Sequence, residues 1–285
     1  MPMVTVDGIA TRYDLLGSGP PLLMYAPGGF DATIEKWSTQ GIYATIKLLD
    51  HLPKSYTCIL FDRRETGLSG GRIERVTWRD YAVQGKELLA HLGIEAAHIM
   101  GACMGVSAAL AFAVAYPAAT RSLVLFWPVG GAKYRMNSQL RFADHLSFLQ
   151  RQTLADVVEL VTRDGKSFGA DPRGGPWAAP IKHDPVFAAA FARQSIDGYK
   201  NIVTSMGRTL FDRDTAPGAE PEDLMNCDIP ALIVPGNDAA HATSAARYIG
   251  ECLPRADYWD VPVAAQTATD APKRVLDFLD INTNR

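Results

Sequence analysis

Short apolar runs alternate with longer amphipathic stretches along most of this chain. Leu22–Ala26, Thr57–Phe61, His98–Gly101, Arg121–Trp127 and Pro230–Pro235 are continuous and of strand length, as expected of strands covered on both faces. Between them, residues 34–49, 81–92 and 106–116 carry apolar residues at helical spacing, and Gly93 is placed to end the second of these helices. The 106–116 segment is apolar on nearly every side, which requires a buried helix. Ahead of this rhythm, Val4–Val6 and Ala10–Leu16 alternate around Asp7-Gly8 and predict a hairpin of two short antiparallel strands. After it, the pattern predicts a helix over 244–252, a last strand over 256–261 and a final helix over 271–279.

The rhythm breaks between 129 and 221. Helical patterns continue there, interrupted by the proline- and glycine-rich Asp171–Pro180, but no buried strand is evident. Right-handed crossovers applied to the remaining strand–helix units give an α/β protein with a mostly parallel sheet and helices on both faces. The expected organisation is a core over 1–128 and 222–285, divided by a helical insertion at 129–221.

Composition narrows the function classes. The chain has 285 residues, 47% hydrophobic and 21% charged, with a formal net charge of −3. Nucleic-acid recognition normally calls for a clustered basic surface, which nothing here supplies, and nothing points to an anionic membrane. The most apolar stretch, Ala108–Ala115, is too short to cross a bilayer, and the first residues lack a secretory pattern, so a soluble cytoplasmic protein is expected. Cysteines at 58, 103, 227 and 252 have neither metal-site nor redox spacing and are expected as reduced thiols. With no metal cluster and no dinucleotide fingerprint, the expected partner is a small-molecule substrate without a cofactor; a homodimer is left open.

One stretch concentrates the chemistry. In His98-Ile-Met-Gly-Ala-Cys103-Met-Gly-Val-Ser107 a strand ends at Gly101 and a helix starts after Gly105, placing Cys103 on the turn between them. Glycines two residues either side avoid collision with the neighbouring strand and helix. This G-x-C-x-G pattern resembles the nucleophile elbow of the α/β-hydrolase superfamily, with Cys in place of the commoner Ser. Asp62-Arg-Arg-Glu-Thr-Gly-Leu-Ser-Gly70 likewise resembles the D-x-R-G-x-G-x-S loop of that superfamily, with Glu65 where glycine is usual. The resemblance covers about residues 4–128 and 222–282 and implies the α/β-hydrolase fold with the insertion as a cap. It also implies an oxyanion hole made by the backbone N–H of Met104 with that of Gly29 or Phe30, in the glycine loop after the first central strand. Trp127 and Met104, with some of the insertion's aromatic residues, are expected to make the cleft apolar. Arg135, Arg141 and Arg193 are candidates to anchor a carboxylate, with a solvated position the simpler reading for each.

In the family the acid follows the penultimate core strand, and Val234-Pro-Gly-Asn-Asp238 matches that place. The histidine should follow the last strand, yet Val261-Pro-Val-Ala-Ala-Gln-Thr267 contains none, and Gln266 stands at or beside the expected position. An amide cannot take a proton from a thiol. Of the six histidines, His51, His91 and His98 read as structural or solvated, and His145 and His183 lie in the insertion. His241, three residues after Asp238, is the best candidate for a relocated imidazole. The catalytic candidates are therefore Cys103, Asp238 and His241, on a small, largely apolar acyl substrate such as an ester, thioester, lactone or activated amide. A non-hydrolytic lyase or transferase, or a small-ligand binding protein without turnover, are the alternatives.

Overall fold

The computed structural model describes residues 2–283. Among them β1 (Met3–Val6), β2 (Ile9–Leu16), β3 (Pro21–Tyr25), β4 (Thr57–Phe61), β5 (Ala97–Ala102), β6 (Thr120–Phe126), β7 (Ala231–Val234) and β8 (Ala256–Tyr258) form one sheet, ordered β1-β2-β4-β3-β5-β6-β7-β8. The hairpin β1–β2 joins antiparallel to β4, and every pairing from β4 to β8 is parallel. The helices are α1 (Lys36–Thr39), α2 (Gly41–Ile46), α3 (Trp78–His91), α4 (Gly105–Ala115), α5 (Ala132–Phe148) and α6 (Leu154–Asp164), followed by α7 (Ala178–His183), α8 (Pro185–Ala192), α9 (Ile196–Leu210), α10 (Pro221–Met225), α11 (Thr243–Cys252) and α12 (Asp270–Thr283). Helices cover both faces, which is why β3, β5 and β7 have almost no solvent-facing side. As its composition requires, α4 is buried from Gly105 to Ala113.

Three boundaries differ from the sequence expectation. Residues 34–49 do not form one helix. Gln40 is extended and Gly41 and Lys47 take positive φ, so the segment breaks into α1, α2 and a tight turn. Thr77 starts α3 three residues early, because its hydroxyl and the Asp80 carboxylate cap one another's backbone N–H groups. The last strand stops at Tyr258, leaving 259–269 as loop, while α12 extends to Thr283.

Two polar anchors bring the loops at the carboxyl ends of the strands together. Asp62, fully buried after β4, accepts hydrogen bonds from the backbone N–H groups of Ile34 and Leu68, both at 2.9 Å, and from Arg12 at 3.2 Å. One carboxylate thus ties three separate segments. Glu65 holds a φ of +64°, a conformation that favours glycine, and faces the Arg64 guanidinium at 2.9 Å. Burial pushes its carboxyl up to about 7 against the pull of Arg64.

Between β6 and β7, helices α5 to α9 form a helical insertion with its own core. There His145 bonds the Tyr199 hydroxyl at 2.8 Å and the Arg173 carbonyl at 3.1 Å, and burial lowers its pKa to about 4. The Trp177 indole donates to the Arg72 carbonyl at 2.7 Å, fastening the insertion to the loop after β4. Phe30, from the loop after β3, packs edge-on against Phe142 and Phe168 of the insertion, with Phe211 alongside.

Candidate active site

The turn between β5 and α4 gives Cys103 a φ of +54°, and its N–H donates to the Phe126 carbonyl at 3.1 Å. The flanking glycines are required by space. A Cβ at Gly101 would lie 2.4 Å from the Gly105 carbonyl oxygen, and one at Gly105 would lie 2.3 Å from that of Tyr25. The thiol is therefore held at the strand tip, only 9% exposed, at the positive end of the α4 dipole, which favours an anion.

The loop after β7 supplies the imidazole. His241 Nδ1 lies 2.8 and 3.0 Å from the two carboxylate oxygens of Asp238, and the same carboxylate accepts the N–H groups of Ala240 at 2.8 Å and His241 at 2.9 Å. The backbone thus orients the acid, and the acid's carboxylate orients the imidazole. The ring packs on Trp127 with centroids 5.3 Å apart. Trp127 itself has φ +53°, and Gly130 pairs with the His241 strand segment, so the end of β6 braces the loop. Nε2, the remaining ring nitrogen, is buried, makes no well-formed hydrogen bond and is left for the Cys103 thiol.

Electrostatics couple the two groups. Burial alone would raise the Cys103 pKa, but His241 and the backbone N–H groups of Gly28 and Met104 outweigh it, and the thiol titrates below its ordinary value. Burial would lower His241, yet the thiolate and Asp238 raise it to about 9. Burial raises Asp238 less than His241 and its backbone donors lower it, so it stays ionised at neutral pH. Each ion is the other's stabiliser, and the two titrate as a pair.

Gln266 occupies the neighbouring position from the far side. Buried, it accepts the Trp127 indole N–H at 2.7 Å and donates to the Pro235 carbonyl at 2.8 Å. It therefore supports the Trp127 ring on which His241 lies.

In the glycine loop, the N–H directed at the sulfur together with that of Met104 belongs to Gly28, one residue before the Gly29 and Phe30 selected from the sequence. Gly29 offers its carbonyl to the Arg63 guanidinium, and the Phe30 ring joins the aromatic cluster with the insertion. The remaining histidines lie elsewhere. His98 bonds Ser122 at 2.8 Å at the start of β5, His91 packs on Tyr13, His51 belongs to a turn before β4, and His183 ends α7 on the surface. Arg135 and Arg193 are exposed, whereas Arg141 is half-buried and, among the described residues, without an ion-pair partner. The sequence reading takes the loop that contains Gly28 as the oxyanion loop but singles out the next two residues, since nothing in a Gly-Gly pair marks which N–H turns inward.

With this geometry, the family is plain. Residues 21–162 match the family model described as the alpha/beta hydrolase fold. The chain belongs to the α/β-hydrolase superfamily. It is similar to the dihydrolipoyllysine-residue acetyltransferase component of the acetoin cleaving system of Cupriavidus necator, 27% identical over 245 residues, which are 84% of this chain and 59% of that relative. The chain thus spans less than two thirds of that relative's length. Among solved structures, a hydrolase from Pseudomonas aeruginosa superposes with TM-score 0.64 at 19% identity, covering 98% of this chain and 97% of its own. The enol-lactonase from Burkholderia xenovorans gives 0.60 at 18% identity, covering 98% and 100%. A thermophilic esterase from Thermogutta terrifontis gives 0.62 at 16% identity, covering 99% of each chain.

Proposed function

We propose that the protein is a cysteine-dependent hydrolase of small acyl substrates, acting on an ester, thioester, lactone or activated amide beneath the helical insertion as a cap. The observation that carries this reading is the Cys103–His241–Asp238 arrangement, a buried thiol with a half-buried imidazole and an exposed acid, in which the thiol is pulled down and the imidazole pushed up. A thiolate is the nucleophilic form, and an imidazolium beside it is the proton donor a leaving group needs.

The steps follow from these groups. The Cys103 thiolate attacks the acyl carbon, and the carbonyl electrons move to an oxygen that accepts hydrogen bonds from the early glycine loop and Met104. As the carbonyl reforms, the bond to the leaving group breaks and His241 gives up its proton to that group. Neutral His241 then takes a proton from water, the water oxygen attacks the thioester carbon, and the carbon–sulfur bond breaks to return the thiolate. Asp238 holds the ring with Nε2 toward the sulfur throughout. This relocated base answers the difficulty posed by Gln266, since deacylation has its proton acceptor in the loop after β7.

A second reading, acyl transfer to a thiol or alcohol acceptor in place of water, draws support from the acetyltransferase name of the Cupriavidus relative. A panel of p-nitrophenyl esters and thioesters, followed by absorbance and intact mass, separates the two. Steady release in buffer, abolished in Cys103→Ala, is the result expected of the hydrolase. A lasting acyl adduct that discharges only when a thiol is added means transfer. No adduct and no release would overturn both.

A further inference from the structure

Arg63 and Arg64 are adjacent and equally buried, but only one has found its counter-charge. Arg64 is paired with Glu65 at 2.9 Å and Glu74 at 2.6 Å. The Arg63 guanidinium, 2% exposed, gives one nitrogen to the Gly29 carbonyl and lies 4.3 Å above the Tyr81 ring. Its Nε and Nη1 are buried without a partner, and no described carboxylate lies within ion-pair distance. The Tyr134 hydroxyl, on the first turn of α5, is also buried and unpartnered, and burial raises its pKa. Arg141, two turns further along α5, is desolvated and lacks an anionic partner. Gly29, which holds Arg63, faces the Met104 side chain next to Cys103, and the Phe30 ring beside it meets Phe211, on which Tyr134 packs, so core and insertion each bring an unsatisfied donor to the aromatic cluster next to the elbow.

Unpaired buried donors are expensive unless something fills them. A ring of Phe30, Phe142, Phe168 and Phe211 stands beside them, with Tyr134 edge-on to Phe211 at 5.7 Å. We infer that Arg63, Tyr134 and Arg141 form a carboxylate-binding subsite beside Cys103, so that the substrate is an acyl compound bearing a carboxylate on an apolar body. This deepens the acyl-substrate reading, and its test does not depend on turnover.

Iodoacetate and iodoacetamide deliver the same carbon to a thiolate, which displaces iodide in both, but only one carries a carboxylate. The alkylation rate ratio, iodoacetate over iodoacetamide, is expected to be at least tenfold higher for Cys103 than for N-acetylcysteine and to saturate with iodoacetate. Because the His241 imidazolium also attracts an anion, the deciding arms are Tyr134→Phe, Arg141→Met and Arg63→Lys, each expected to lower the ratio at least threefold. A ratio equal to that of N-acetylcysteine, or one unmoved in all three variants, would overturn the subsite. Calorimetric titration of the unmodified protein with butyrate against butyramide reads the same subsite without using the thiol, and equal affinities would overturn it whether or not the variants fold. Ester turnover absent while the carboxylate preference persists would sink the hydrolase reading alone.

Discussion

At the scale of single residues, Cys103 and His241 share one titration problem, and its sign is fixed by their surroundings. The thiol titrates below its usual value and the imidazole up to about 9, so the ion pair is retained between the two. Alkylation of Cys103 by iodoacetamide is therefore expected to follow an apparent pKa below that of a free buried thiol such as Cys58, which burial pushes up to about 12. Removing the imidazole in His241→Ala leaves burial unopposed by its largest counterweight. The profile should move upward by at least about one unit, slowing alkylation near neutral pH about tenfold or more. An unmoved profile, measured by intact mass across pH 5–10, would remove His241 from the thiol's environment. Asp238→Asn should shift it less, since the acid acts through the ring it orients.

Elements set where these residues meet. The elbow depends on β5 and α4 closing tightly, and Gly105→Ala forces a Cβ against the Tyr25 carbonyl in β3. Neither backbone can yield cheaply, so a loss of about 2 kcal/mol or more is expected in urea unfolding. Gln266→Leu strips the indole N–H of Trp127 and the carbonyl of Pro235 of their partners. That should cost about 1–3 kcal/mol in the same measurement, and weaken activity through the ring that supports His241. The sequence made the strands readable because burial on both faces turns them into unbroken apolar runs, as in β3, β4 and β5. It made the elbow readable because a tight turn demands glycine at two fixed positions. Residues 34–49 misled because their apolar spacing carries no mark of the extended Gln40 that divides α1 from α2. The placing of Cys103, Asp238 and His241 in loops at the carboxyl ends of the strands was legible from loop order along a parallel sheet. Arg63 and Tyr134 were not, since their placement depends on how the insertion settles over the loops after β3 and β4, which lie far from it in sequence.

For the whole molecule, two buried histidines couple stability to acidity. Burial lowers His98, in the sheet, and His145, in the insertion, to about 4, whereas both would titrate near 6.5 when unfolded. Between those values the unfolded chain binds more protons, so stability is full above about pH 6.5 and falls as pH drops toward 4. Each contributes on the order of 3 kcal/mol across that window. Urea midpoints measured from pH 7 to 4 should decline steeply, and His145→Gln should flatten the slope by about half. A slope that survives intact in both His98→Gln and His145→Gln would show that carboxylates carry the acid response. The site's architecture has a different reach. Asp238 and His241 sit in one four-residue turn, and the hydrogen bonds that orient the acid against the ring lie within it. The segment after β8 reaches that turn only at second hand, through Gln266 and the Trp127 ring it holds. The acid–imidazole turn is in this sense a portable cassette, one that grafts onto the end of another parallel strand wherever a broad aromatic ring stands ready to carry it.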